Sequence, residues 1–108
     1  MIYSINELKK RIVPVAKKYQ LSAVYLFGSY ARNEATDDSD VDVLIDRTGS
    51  SVKTLFDMGA LYNDLCESID KEVDLVTTYA LFESRAKDRT PWFTENVMRE
   101  RVAVYKRQ

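Results

Sequence analysis

The chain has 108 residues, 45% of them apolar and 31% charged, with three glycines, two prolines and a net charge of −1. That is the size of one domain, read here as residues 1–108, and it excludes a disordered or collagen-like chain and gives no overall basic field for nucleic acid. The absence of histidine and the single cysteine, Cys66, exclude Ser-His and Cys-His nucleophiles, an intrachain disulfide and a zinc cluster.

Ser4-Ile5-Asn6-Glu7 fits a capping box, and Ile5, Leu8, Ile12, Val15, Ala16 and Tyr19 follow at helical spacing. Pro14 interrupts that helix and is expected to kink it or to open a second segment. The apolar run Ala23 to Phe27, ended by Gly28, reads as a buried strand. Ser29 to Ala35 reads as a short helix and Val41 to Ile45 as a second strand. Val52 to Ile69 reads as a long helix whose wide stripe is Leu55, Met58, Leu61, Tyr62, Leu65 and Ile69. Cys66 falls in that apolar pattern as a small core residue, and Phe56, Tyr62 and Trp92 are taken as core aromatics.

Glu72 to Thr77 predicts a third strand, followed by short helices near Leu81 to Ala86 and Phe93 to Arg101 and a terminal strand Val102 to Tyr105. Strands alternating with helices give an α/β domain, a single small mixed sheet with helices packed on it. Residues 84–108 carry seven Lys/Arg against three Asp/Glu. That basic tail reads as a solvated helix face, or as a surface for phosphates or an acidic partner. No apolar run approaches the roughly 20 residues a bilayer span needs. The start MIYSINELKKR lacks the apolar stretch of a signal peptide, so the cytoplasm is the expected compartment.

The chemistry concentrates between Phe27 and Ile45. Asp40 and Asp42 lie two apart at a strand start, so they share one face while Val41, Val43 and Ile45 share the opposite, buried one. Two adjacent carboxylates repel, and a divalent cation removes that conflict; Mg2+ favours a few carboxylates plus phosphate oxygens. Gly28-Ser29 lets a ligand approach the backbone where a strand gives way to a helix, which suits phosphate. Asp74 precedes Val76 on its strand as Asp42 precedes Leu44, so both strands place an acid at one end of an apolar face. A third carboxylate there can bind an ion or act as general base. Arg32 is read evenly as a phosphate ligand or as the partner of a carboxylate. The blander readings are an EF-hand loop, which Val43 and Gly49 break, and a polar turn, which suits residues 36–39.

The string LFGSYARNEA…SDVDVLI resembles the signature of the DNA polymerase β-like nucleotidyltransferase superfamily, in particular the minimal nucleotidyltransferases. The proline-containing first helix, the VDLV strand and the closing VMRERVAVY extend the likeness over nearly the whole chain. The resemblance implies that Gly28 and Ser29 bind the nucleotide's phosphates, and Arg32 stands beside them as a nucleotide-binding candidate on its own chemistry. It implies that Asp40, Asp42 and Asp74 form the catalytic and metal-binding set, with two Mg2+ ions and ATP as substrate. It also implies a HEPN-domain partner, to whose tyrosine hydroxyl AMP is transferred as the antitoxin's act on its toxin. Asn33 stands where the family often has glycine, which predicts a differently shaped turn after Arg32.

A chain of this length offers little acceptor pocket of its own, in keeping with a partner that brings the acceptor. Direct nucleic-acid or membrane binding is not expected, and a homodimer through the Val52 to Ile69 stripe is open. A different class of function is a catalytically silent module that neutralises the partner by covering it. A metal-dependent glycosyltransferase, the third reading, normally needs a far longer chain.

Overall fold

The computed structural model describes residues 2–80 and 91–107, the first four of the latter by their backbone alone. Helix α1 (Ile5–Lys18) opens on Ser4, whose hydroxyl accepts from the Glu7 amide. The Glu7 carboxylate does not complete a capping box and instead pairs with Arg11, one turn on. The helix runs without a break through Pro14, so the expected second segment does not form. Packing overrides the missing amide: Leu8, Ile12, Val15 and Ala16 are buried on one face.

Strand β1 (Ala23–Phe27) passes through the short helix α2 (Gly28–Ala31) and a polar loop to β2 (Val41–Asp46). Helix α3 (Leu55–Ile69) crosses over to β3 (Val73–Thr77), and α4 (Pro91–Glu100) leads into β4 (Val102–Lys106). The sheet order is β3-β2-β1-β4. β1 is antiparallel to both β2 and β4, whereas β2 and β3 are parallel. The mixed sheet is as expected from sequence. The anticipated helix near Leu81 to Ala86 and the side chain of Trp92 lie outside the described residues.

One face of the sheet, with Val24, Leu26, Val41, Val43, Ile45 and Val73, packs on α1 and α3. The other carries a smaller cluster, Phe27 and Leu44 under Val97 of α4, flanked by Tyr25, Val76 and Met98. Two polar ties fix α1 to α3. Arg11 donates to the Ser68 carbonyl while the Ser68 hydroxyl donates back to the Arg11 carbonyl. Asp64 accepts from both Lys18 and the Tyr19 hydroxyl.

The apolar stripe of α3 is narrower than expected. Leu61, Leu65 and Ile69 are buried and Met58 and Cys66 pack at the margin, but Leu55 is 90% and Phe56 91% exposed. Tyr62 is also largely outside the core. The geometry is simple: Phe56 lies five residues before Leu61, about 140° round the helix, and so faces away from the sheet. The helix starts at Leu55 because Thr54 and Asp57 cap it reciprocally. Thr54→Ala should therefore cost about 1 kcal/mol, read as a lower urea midpoint with an unchanged slope.

Two described bases of the tail make contacts within the chain. Arg107 donates to the carbonyls of Gln20, Thr48 and Gly49. Arg101 stacks on the Tyr25 ring at 4.4 Å. Among the described residues no helix is long and apolar enough to cross a membrane.

Candidate active site

Alternation along β2 and β3 decides which acids meet. Val41, Val43 and Ile45 face the helices, so Asp42 must face the opposite side with Leu44. The parallel register sets Asp42 beside Asp74, and Leu44 beside Val76. The expected pairing of the two strands is thus present, with both acids at the strand starts where the apolar face gives out. Asp40 is exposed, two residues before Asp42. Its loop is held by a Thr36–Ser39 turn and by Lys71, whose ammonium donates to the Asp37 carbonyl.

Gly28 meets Asp42 from the other side. Phe27 pairs with Asp42 across the β1–β2 ladder, and the chain turns at Gly28 with φ 69°. A β-carbon on Gly28 would stand 2.0 Å from the Asp42 Oδ2. The backbone therefore touches the carboxylate as only glycine permits. Ser29 is half-buried, and its hydroxyl has no hydrogen-bond partner among the described residues. Asn33, in the family's glycine place, adopts φ 60°, a left-handed turn that asparagine tolerates.

Arg32 resolves towards the carboxylate reading in this state. Its Nε lies 2.7 Å from Glu34 and its Nη1 3.4 Å from Glu100. Glu100, at the end of α4, was invisible to sequence reasoning because 68 residues separate the pair. Glu34, two residues on, carried the only available signal.

The Asp42 carboxyl is pushed up to about 6. Burial is the largest cause, followed by repulsion from Asp74 and Asp40, with Arg32 opposing. That like-charge conflict is what a hard divalent cation relieves, and the donors are all carboxylate oxygens, so the residues fit Mg2+. Among the described residues no three acidic side chains are gathered tightly enough to enclose an ion by themselves. Mg2+ does not need such a cage, since it is commonly held by one or two carboxylates together with substrate phosphates.

Comparison with known proteins identifies the family. A Methanocaldococcus jannaschii protein named as a protein adenylyltransferase is 41% identical over 86 residues, 80% of this chain and 89% of that protein. A second from the same organism is 35% identical over 80 residues, 74% of this chain and 80% of that protein. A minimal nucleotidyltransferase of known structure superposes with a TM-score of 0.66 at 27% identity, covering 93% of this chain and 95% of that one. A toxin–antitoxin structure with AMP-PNP shares the fold at TM-score 0.66 and 20% identity, covering 93% of this chain and 74% of that one. The profile described as Polymerase beta, Nucleotidyltransferase matches residues 10–108. Its reach from α1 to the end of the chain takes in every residue of the Gly28–Asp42–Asp74 site, and the chain is a member of that nucleotidyltransferase family.

Proposed function

We propose that this chain transfers AMP from ATP to a tyrosine hydroxyl of a HEPN-domain partner, acting as the antitoxin of a cytoplasmic toxin–antitoxin pair. The observation that carries the reading is the in-register placement of Asp42 beside Asp74, with Gly28 pressed against Asp42. Two kinds of relative support it: the adenylyltransferase names above, and a fold neighbour described as a tri-AMPylated Shewanella oneidensis HEPN toxin with its MNT antitoxin.

Asp40 and Asp42, with Asp74, would hold the two divalent ions. When bound, Mg2+ supplies neutralisation of phosphate charge. Gly28 and Ser29 take the phosphates, the backbone lying close and the hydroxyl free to donate. Arg32 exchanges a glutamate for a phosphate oxygen. Asp74 accepts the proton of the acceptor hydroxyl as its oxygen bonds to the α-phosphorus, and pyrophosphate leaves as the bridging P–O bond breaks. Positioning and charge supply the rate, since the chain forms no covalent intermediate.

The test combines the chain, α-labelled ATP, Mg2+ and the protein encoded beside it. Label is expected on a partner tyrosine and is lost when that tyrosine becomes phenylalanine. Asp74→Asn should lower the rate at least about 100-fold with the complex intact. An unlabelled, folded partner overturns the reading. Full toxin neutralisation by an Asp40→Ala/Asp42→Ala double variant transfers the role to binding alone.

A further inference from the structure

We propose that the groove between α1 and the outer edge of β4 docks an extended acidic segment of a partner protein by strand addition. β4 ends the sheet on the side away from β2 and β3, so this groove stands apart from the nucleotide site. The groove, about 340 Å³, is lined by Lys9, Val13 and Lys17 of α1 and by residues 103–106. Side chains of successive strand residues point to opposite faces, so a surface touched by four in a row is the edge of the strand itself. β1 occupies the inner edge of β4, and no hydrogen bond from another described element reaches the outer one. A second hollow, about 490 Å³, shares Lys9 and Val13 and continues past Lys10 and Pro14.

The charge on this groove has one sign. Among the described residues, Lys9, Lys10 and Lys17 have no ion-pair partner and no acid lines either hollow. Val13 gives the groove an apolar floor, and Pro14 extends it into the second hollow. Lys9 and Lys17 are eight residues apart, about 12 Å along the helix. An extended chain rises slightly farther in four residues, about 13 Å, and returns its side chain to the same face. The fitting segment therefore has acids four residues apart and an apolar residue midway between them, all on the face turned to α1. Its backbone pairs with the β4 edge while its carboxylates meet the lysines.

The other occupants fit worse. Two β4 edges paired across a twofold axis would bring lysine rims together. A nucleic-acid phosphate could satisfy the lysines but not the carbonyls that alternate with N–H groups along the edge. Lysines also guard naked strand edges against self-pairing, and that simpler role predicts no ligand at all.

The test uses the whole chain and a fluorescein-labelled peptide with glutamates four residues apart and a valine midway between each pair, followed by anisotropy at low salt. We expect a Kd below about 100 μM and slowed amide exchange confined to residues 102–106. Lys9→Glu/Lys17→Glu should weaken binding at least about tenfold, and Lys9→Gln/Lys17→Gln less, with far-UV spectra unchanged. The proposal is overturned by any of four results: no peptide binding below about 1 mM; preference for a single-stranded oligoribonucleotide; β4 protection through self-association without peptide; or charge-reversed variants that bind as well as the parent.

Discussion

Asp42→Asn should lose nucleotide transfer by at least about 100-fold while gaining stability, and the two effects have one cause. The carboxylate sits half-buried between Gly28 and Asp74, with Asp40 two residues away, and its proton is held up to about 6. An unfolded aspartate titrates near about 3.9. Between those values the folded chain keeps a proton that the unfolded chain has released. Folding is thus favoured at the acid end, and stability falls as pH rises from about 4 through about 6. Allowing for the solvent that still reaches the group, the loss is about 1–2 kcal/mol. Asparagine cannot ionise, so the variant should show a flatter profile across that window and a higher urea midpoint above it. Urea melts at stepped pH in chelator, beside a transfer assay with Mg2+, check both halves. Retained activity or a lowered midpoint at neutral pH removes Asp42 from the proposed role.

The same residue shows why so much of this molecule could be read from its sequence. Val41, Asp42, Val43 and Leu44 declare a strand buried on one face and half-polar on the other, and the alternation alone sends Asp42 to the side of Leu44. The match between Asp42–Leu44 and Asp74–Val76 predicted neighbouring strands with equivalent faces, as the register has it. Local signals also placed the Gly28 turn. What escaped was either long-range or a question of phase. Glu100 reaches Arg32 only through the packing of α4. Leu55 and Phe56 were taken as core because they are apolar and near the stripe, although Thr54 and Asp57 had marked a later helix start. Both residues are helical, but Phe56 stands about 140° round α3 from Leu61 and so projects to solvent. Pro14 left a kink or a second segment open, and tertiary packing carries α1 past it as one helix, so the second segment is the alternative that fails.

Gly28→Ala tests the contact on which the site depends. The added carbon meets the Asp42 Oδ2 at 2.0 Å and the Cγ at 2.9 Å, and it does so at φ 69°, where a side chain is strained whatever the space. The two penalties together should cost about 2–4 kcal/mol. They can be separated. In Gly28→Ala/Asp42→Ala the carboxylate is gone while the backbone strain stays, so the double variant should be more stable than the sum of the singles predicts, by at least about 1 kcal/mol. Transfer activity behaves differently. An Asp42 carboxylate displaced by even about 1 Å can cost 100-fold, and its removal restores nothing. Urea melts and label transfer on all four proteins complete the cycle. Additive stabilities would mean that Gly28 and Asp42 do not touch, whereas coupled stability with uncoupled loss of activity identifies the glycine as the residue that lets the phosphate turn and the acidic strand share one place.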